Sequence, residues 1–353
     1  MAGSKDGPVD VLIVSLGSTA GLRGADTELA DSLRRAGASV VTVTATPPRS
    51  LRTLALTDLA WALAARRAAI AGLAEHRPRA VIYSSTTASL LWPRPGAIRF
   101  DAPSAGNRPG RHGLWQRPLE RRRLVRAQLL LPWSAGGLAE MSLSPEHVAG
   151  RALVLPVPVE PSGPTAQVRD IAAITYGANP AKKGLDRVLA AWEGVRRADE
   201  QLLVAGVTPA DLGRAGISVP GDGDGEGVRV TGPLAPGEYR GLLRRARVFV
   251  CAPRREDYGI AQLEALADGC LLVSTPAPGP YAALPIARAL DPRLVVDGED
   301  LGPTDLGTAL RTALDDPAPD YAARASSALA SYSRAAADRI VRNELLLRLL
   351  SSA

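Results

Sequence analysis

The chain has 353 residues, of which 46% are hydrophobic, and it carries a formal net charge of +6 at pH 7. This length suits two domains of ordinary size, each with its own core. Its 34 glycines and 29 prolines are spread along the chain, which excludes a low-complexity protein. A basic surface attracts nucleotide phosphates, nucleic acid or anionic lipid, and composition alone leaves all three open.

Cysteine and histidine usage argues against a disulfide framework and against a zinc site. Cys251 and Cys270 each lie in an apolar run and are predicted to be buried thiols in a reducing compartment, while the three histidines are far apart in sequence. No segment reaches about 18 uninterrupted apolar residues, so no transmembrane helix is expected. The apolar segment near the start, residues 9–16, is interpreted as a strand and not as a signal peptide. We therefore expect a cytoplasmic protein.

The first half of the chain alternates predicted strands and helices. Residues 10–17 form a continuous apolar run of the kind found in buried parallel strands. A loop over 18–24 precedes an amphipathic helix that ends at Gly37, a common helix-terminating residue. The other predicted elements are helices over 57–76 and 114–128, and strands over 40–44, 80–84, 98–101, 128–132 and 153–156.

The proline-rich stretch PVPVEPSGPT, residues 156–165, has no helical periodicity and is predicted to be a linker. The alternation then resumes, which predicts two doubly wound α/β domains over residues 1–160 and 166–335. The elements of this half are strands over 170–176, 201–205, 228–231, 248–251 and 271–274, helices over 184–197, 236–246 and 261–267, and further helices within 318–350.

The segment from Phe249 to Pro276 is the most informative part of the sequence. It predicts a strand, a loop, a helix and a strand, with Glu256 in the loop, Glu264 in the helix and seven residues between the two glutamates. Carboxylates at such a helix start can accept hydrogen bonds from sugar or ribose hydroxyls, and the helix amides can face a phosphate. The alternative is an ordinary strand-to-helix turn with two surface glutamates.

A second segment, residues 175–192, lies about 70 residues earlier. Its predicted strand ends near Gly177, and Lys182 and Lys183 open the following helix. A lysine beside a helix start suits a diphosphate, because the helix dipole and the mobile ammonium both favour negative charge. The alternative is a solvated lysine pair.

Taken in this order, the two segments resemble the signature of retaining glycosyltransferases of family 4. The resemblance implies the GT-B architecture, in which two Rossmann-like domains face one another across a cleft. The C-terminal domain would bind a nucleoside-diphosphate sugar and the N-terminal domain an acceptor, with a last helix over 336–353 packing back on the N-terminal domain. No metal and no cofactor would be required.

The resemblance also implies roles for single residues. Lys183 would contact the donor diphosphate, Glu264 the ribose and Glu256 the donor sugar near the reacting carbon, and no side chain is assigned as a general base. The other donor-site positions carried over are Gly177, Tyr258 and Gly259. Two departures stand out, because Ala178 occupies the place of an expected arginine and the run after Ser274 differs. Lys182 and Arg254 are candidate substitutes for the missing arginine.

Two loops of the first half contribute weaker candidates. The glycine-rich stretch 17–24 matches the family's phosphate-facing loop, which makes Gly21, Arg23 and Gly24 candidates for donor binding, or else the glycines serve only a tight turn. After the predicted fourth strand, Asp101 would bind an acceptor hydroxyl and His112 would be the cleft histidine displaced along the loop. The alternative for His112 is an exposed imidazole.

Five arginines lie between Arg117 and Arg126 on one predicted helix. They make either a solvated cationic face or a contact for a charged acceptor or for the anionic inner surface of a membrane. Nucleic acid is not expected, since no aromatic residues are interleaved with the arginines.

The sequence therefore predicts a retaining, hexosyltransferase-type enzyme that moves a sugar from a nucleoside-diphosphate sugar to a glycan, lipid or small-molecule acceptor. One alternative is a degenerate, non-catalytic protein that binds a nucleotide sugar or glycan, which the two departures favour. The other alternative is a nucleotide-sugar epimerase of similar architecture. The first half of the chain offers few residues that could serve as its acid and base.

Overall fold

The computed structural model describes residues 9–48, 53–164, 166, 168–219, 227–298 and 302–351. The chain forms two compact units, the first made of residues 1–158 and 332–353 and the second of residues 159–331. The chain thus returns to its first unit at the C-terminal end. Thr165 of the predicted linker and the outer ends of the first predicted domain and the last predicted helix, 1–8 and 352–353, lie outside the described residues.

The first unit is built on a sheet of five parallel strands in the order β2-β1-β3-β4-β5. This order changes direction between β1 and β3, and open α/β sheets place ligands at the carboxyl ends of the strands at such a point. The strands are β1 (Val11–Ser15), β2 (Val40–Thr44), β3 (Ala80–Tyr83), β4 (Ala97–Phe100) and β5 (Leu130–Pro132).

Helices cover both faces of this sheet, because successive residues of a strand point to opposite sides. Leu12 and Val14 pack in one core with α2, whereas Val11 and Ile13 pack in the other with α1 and the C-terminal helices. The helices are α1 (Ala20–Arg35), α2 (Leu54–His76), α3 (Thr86–Ser89), α4 (Ser104–Asn107), α5 (Gln116–Arg126), α6 (Ala135–Glu140), α7 (Pro145–Val148), α16 (Arg334–Ile340) and α17 (Leu346–Ser351), with a 3₁₀ turn at Gly110–Gly113.

The C-terminal helices belong to the core of the first unit. Val341, Leu345 and Leu349 recur every four residues and are buried against the sheet. Asp338 of α16 accepts a hydrogen bond from Arg35 of α1, with 2.7 Å between Arg35 Nε and Asp338 Oδ2. Among the described residues, no helix is both long and apolar enough to cross a membrane.

The second unit has a sheet of five parallel strands in the order β10-β9-β6-β7-β8. Its order changes direction between β6 and β9, which predicts a ligand site after these two strands. The strands are β6 (Ile171–Tyr176), β7 (Leu202–Ala205), β8 (Val228–Gly232), β9 (Ala246–Cys251) and β10 (Leu271–Ser274). The helices are α8 (Pro180–Lys183), α9 (Leu185–Val195), α10 (Pro209–Arg214), α11 (Pro236–Arg245), α12 (Ile260–Ala267), α13 (Ala283–Leu290), α14 (Pro303–Asp315) and α15 (Tyr321–Ala328).

These sheets confirm the predicted class of two doubly wound α/β domains, and both cysteines are free and buried as predicted. The strand predicted over 153–156 was wrong. Leu153 and Leu155 donate backbone hydrogen bonds to β5, but the bridge to that strand forms at Ala152, before the segment. Pro156 and Pro158 lack the N–H groups that would extend the ladder.

The loop predicted over 18–24 was also wrong from Ala20 onwards. Helix α1 starts there because Thr19 caps it, with 3.2 Å between its Oγ1 and the amide nitrogen of Leu22. Two glycines inside the first turns lower helix propensity, which made the sequence look like a loop, but the cap and the buried face of α1 outweigh that cost.

A buried charged pair lies at the carboxyl edge of the first sheet. Arg99 of β4 is 1% exposed, its Nη1 is 3.5 Å from Asp26 Oδ1, and its guanidinium stacks 4.9 Å from the ring centre of Trp133. Ser15 donates a hydrogen bond to the other oxygen of Asp26. Burial raises the pKa of Asp26, while Arg99 and Ser15 oppose that rise.

We expect Arg99→Met to lower the free energy of unfolding by about 3 kcal/mol, because it leaves Asp26 buried without its cation. Urea denaturation followed by tryptophan fluorescence measures this loss. Arg34→Met is the matched control, since Arg34 pairs with Asp31 on the exposed side of α1 and its loss should change stability by less than about 1 kcal/mol. Equal losses in the two variants would contradict the importance of the buried pair.

Candidate active site

The point where the second sheet changes direction brings together two of the predicted site residues. Lys183 ends α8, which follows β6, and Glu256 lies in the loop that follows β9. Lys183 Nζ is 2.6 Å from Glu256 Oε2, and the glutamate side chain is 6% exposed. Two neighbouring parallel strands thus deliver one cation and one carboxylate to the same place.

The backbone around Lys183 is shaped for this approach. Asn179 adopts a left-handed conformation (φ 58°), and its Oδ1 accepts a hydrogen bond from the amide of Lys182 at 3.3 Å. Gly184 separates α8 from α9 with φ 62°, and a Cβ there would lie 1.9 Å from the carbonyl oxygen of Ala252. Only glycine allows α8 to come this close to the end of β9.

A chain of buried polar groups supports Glu256 from behind. Gln262 of α12 donates a hydrogen bond from Nε2 to Glu256 Oε2 at 2.9 Å. Gln262 also contacts the thiol of Cys251, which lies 3.3 Å from the hydroxyl of Tyr281, and that hydroxyl is 2.6 Å from Ser274 Oγ. Gln262 of α12 therefore contacts the carboxylate directly, and Cys251 of β9 and Ser274 of β10 support it from behind that side chain.

Asp257 forms a second ion-pair centre beside the first. Its Oδ2 lies 2.5 Å from Lys182 Nζ, and its Oδ1 lies 2.7 Å from Arg255 Nε. Burial alone would raise the pKa of Asp257, but the charges of Lys182 and Arg255 outweigh burial and lower it. One carboxylate thus holds two cations next to Lys183.

Glu264 lies in α12, one turn after the first residue of that helix. Its Oε1 is 3.6 Å from Arg240 Nη1, which is longer than a good hydrogen bond. Burial raises the pKa of Glu264, Arg240 opposes this and the charge of Asp268 adds to it. Burial, and then the charge of Glu264, also raises the pKa of Tyr176 at the end of β6.

Three other predicted donor-site residues of the second unit, Gly177, Tyr258 and Gly259, shape the loops that carry the site. Gly177 directly follows β6, its amide donates to the carbonyl of Ala205 at 2.7 Å, and a Cβ would lie 2.9 Å from Val207. Gly259 caps α12 with φ 89°. Tyr258 beside it is 3% exposed, so its side chain is part of the core.

Arg254 does not join the centre of the site. Its guanidinium makes two contacts of 2.7 Å with the carboxylate of Asp186, near the N-terminus of α9, and 44% of its side chain is exposed. Ala178, at the position of the expected arginine, lines a surface pocket of about 410 Å³ with Asn179, Gly206 and Val207. The short side chain of Ala178 leaves this pocket open beside α8.

The remaining candidates belong to the first unit. Gly21, Arg23 and Gly24 lie in the first turns of α1, and the guanidinium of Arg23 donates to the carbonyl of Gly17 at 2.8 Å. Asp101 follows β4 and accepts a hydrogen bond from the amide of Ala102 at 2.8 Å. His112 is exposed in the 3₁₀ turn.

Across the described ranges, no group of three or more His, Cys, Asp or Glu side chains could hold a metal ion. Sequence reasoning missed the supporting residues, Gln262, Asp257 and Arg255. Asp257 and Arg255 flank Glu256 in the sequence, so their position was a signal, but the direction of their side chains depends on the fold of the loop.

Residues 171–316 match the family model described as glycosyl transferases group 1. The matched range lies inside the second unit and includes Lys183, Glu256 and Glu264. No significant match to a curated protein was found.

Solved structures with the same fold include three sugar-related proteins. Sucrose-phosphate synthase from Thermosynechococcus elongatus has a TM-score of 0.74 at 16% identity and covers 98% of this chain and 100% of its own. WaaG, a glycosyltransferase involved in lipopolysaccharide biosynthesis, has a TM-score of 0.67 at 17% identity and covers 94% and 99%. Anabaena Alr3699/HepE in complex with UDP and glucose has a TM-score of 0.63 at 12% identity and covers 96% and 99%.

At these identities the likenesses show the fold, which is the GT-B fold of glycosyltransferases. The family match adds that residues 171–316 are similar to group 1 glycosyl transferases.

We expect Gly184→Ala to displace Lys183 from Glu256 and to destabilise the second unit by about 2 kcal/mol or more, since the new Cβ meets a backbone carbonyl at a positive φ. Gly194→Ala on α9 is the matched control, because a Cβ there meets nothing within 4 Å and alanine favours a helix. Thermal unfolding measures both. A midpoint for Gly184→Ala equal to that of the control would contradict the close approach.

Proposed function

We propose that the protein is a retaining glycosyltransferase that moves a hexosyl group from a nucleoside-diphosphate sugar to an acceptor hydroxyl without a metal ion. The observation that carries this proposal is the contact of Lys183 with Glu256 at the point where the second sheet changes direction. The family match and the neighbours solved with UDP and glucose support the same donor class.

In this proposal Lys183 exchanges Glu256 for the donor diphosphate, and Glu256 becomes free to accept hydrogen bonds from sugar hydroxyls. Glu264 holds the ribose from α12, and the pocket beside Ala178 receives part of the nucleoside. The acceptor oxygen forms a bond to the anomeric carbon on the face from which the diphosphate leaves, while the bond between that carbon and the diphosphate oxygen breaks. The acceptor proton passes to the leaving diphosphate, whose charge the lysine stabilises.

Lys182 and Arg255 are our candidates for the cation that Ala178 does not supply. Both are anchored on Asp257 beside Lys183, whereas Arg254 is held by Asp186. An arginine can contact a phosphate through two N–H groups, which suits Arg255 to a diphosphate oxygen pair. This assignment replaces the sequence-based candidate Arg254.

A non-catalytic protein that binds nucleotide sugars remains the second candidate. Ala178 favours it, because one fewer phosphate contact weakens stabilisation of the leaving group. A protein that binds a nucleotide sugar but neither transfers the sugar to any acceptor nor hydrolyses it would be this second candidate and not the transferase.

The proposal predicts that one nucleoside diphosphate among UDP, GDP, ADP and TDP raises the thermal unfolding midpoint without added metal, because ligands that bind only the folded state stabilise it. Lys183→Met should abolish that rise. Arg288→Met is the control, since Arg288 is an exposed residue of α13 that pairs with Asp297.

No rise with any nucleotide in a folded sample would overturn the donor assignment. With the nucleotide identified, proton NMR of the product formed from its α-linked sugar gives the anomeric configuration. A β-linked product would contradict retention.

A further prediction concerns Glu264, whose pKa is raised by burial. The ionised carboxylate accepts hydrogen bonds from ribose, so nucleotide affinity should be full above the pKa of Glu264 and fall as the pH drops through it. Glu264→Gln should lose about tenfold in affinity at neutral pH and show only the pH dependence of the phosphate. Calorimetric titration with the nucleotide from pH 8 to pH 5 measures these affinities. Glu193→Gln is the control, since Glu193 is an exposed residue of α9. Parallel pH profiles for wild type and Glu264→Gln would contradict the ribose role.

A further inference from the structure

Helix α2 of the first unit has apolar side chains on both of its faces. Ala62, Ala65 and Ala69 face the sheet and are fully buried. On the opposite side, Leu56 is 50% exposed, Leu63 40% and Ile70 46%. An ordinary surface helix is polar on its solvent side, so this arrangement calls for a partner.

The three exposed residues form a stripe along α2, and Arg66 and Arg67 lie between Leu63 and Ile70. The three apolar residues are spaced seven residues apart, which is nearly two helical turns, so they lie almost in line along about 20 Å of α2. Leu114, which is 63% exposed, precedes α5 and follows the 3₁₀ turn that packs beside α2. A stripe of this length differs from single exposed leucines, which are common on soluble proteins.

The same side of the first unit is strongly basic. Arg66 of α2 donates to the carbonyl of Leu91 at 2.9 Å, and Arg123 of α5 donates to the carbonyl of Leu90 at 2.8 Å. Because Leu90 and Leu91 are consecutive, these contacts place α2 and α5 beside the same patch of surface. Arg123 also stacks there, 5.2 Å from the ring centre of Trp92.

Basic residues greatly outnumber exposed carboxylates on this patch. The arginines of the two helices are Arg66, Arg67, Arg117, Arg121, Arg122, Arg123 and Arg126. Of the three acidic residues of the two helices, Asp58 and Glu120 are buried, and Glu75 is exposed at the end of α2.

We propose that the exposed stripe of α2 and the basic face of α5 form a docking surface for an anionic lipid bilayer. The leucines and the isoleucine insert at the level of the headgroups, and the arginines contact lipid phosphates, a combination typical of helices that lie on membranes. Long arginine side chains can cover apolar surface while their guanidinium groups reach the phosphates.

The charge distribution favours a bilayer over a second copy of the chain. Symmetric pairing through α2 would bring Arg66, Arg67 and the α5 arginines against their own counterparts, and such like-charge contacts oppose association. An anionic surface complements the apolar stripe and the arginines at the same time. The inference goes beyond the proposed function and does not depend on the donor site.

The test is sedimentation of the full chain with vesicles of equal parts phosphatidylglycerol and phosphatidylcholine, compared with vesicles of phosphatidylcholine alone. We expect binding to the anionic vesicles that weakens with added salt. Leu63→Gln with Ile70→Gln should weaken binding by about tenfold for each side chain. Arg121→Glu with Arg122→Glu should weaken it by about tenfold or more.

Matched controls lie on the opposite face of the first sheet. Leu347→Gln removes a leucine of α17 that is 65% exposed, and Arg339→Glu with Arg342→Glu reverses two exposed charges near it. Both controls should sediment like the wild type, and thermal unfolding should show that all variants are folded.

Three results would overturn the proposal. The first is a wild type that stays in solution with anionic vesicles or binds phosphatidylcholine equally well. The second is a loss of binding in the controls as large as in the α2 and α5 variants. The third is a wild type that dimerises in analytical ultracentrifugation and becomes monomeric with Leu63→Gln and Ile70→Gln, since the stripe would then join two copies.

Discussion

The contact between Lys183 and Glu256 is the interaction on which the candidate site depends. Both side chains are largely removed from water, and a buried charge is tolerated only when a partner and further hydrogen bonds compensate it. The constraint acts on the backbone as well, because the ammonium reaches the carboxylate only if α8 packs against the end of β9. Gly184 permits that approach at Ala252, and Gly279 permits another at the carbonyl of Glu256, where a Cβ would lie 2.2 Å away.

The same constraint explains the charge balance of the site. Lys182, Lys183 and Arg255 face Glu256 and Asp257, so three cations meet two carboxylates and one positive charge is in excess. An incoming diphosphate competes with carboxylates that already hold the cations, and its affinity reflects the difference between the two sets of contacts. In the proposed donor complex, such an exchange would keep the lysine in place without ligand and would release Glu256 when negative charge arrives.

Much of the fold was predictable from the sequence, because apolar runs such as 248–251 and 271–274 are typical of strands that are buried on both faces. Lys183 and Glu256 were predicted as site residues from their positions after two strands and from the family resemblance, but their direct contact could not be predicted. The sequence placed both Arg254 and Arg255 within two residues of Glu256. Which of them faces the site depends on Asp186 and Asp257, and those partners are set by the tertiary structure. The start of α1 was missed because the threonine cap and the buried face of the helix together outweigh the cost of two glycines.

Helix α2 shows a different limit of sequence reasoning. Its alanines and leucines predict a helix, yet apolar residues on both faces leave no clear periodicity from which to infer the buried face. Small alanines face the sheet because the helix packs closely there, and the larger Leu56, Leu63 and Ile70 are left outside. In an ordinary surface helix the larger apolar residues would face the core, where they exclude more water. Exposure of these three side chains costs free energy in water, and contact with a second apolar phase would recover part of it.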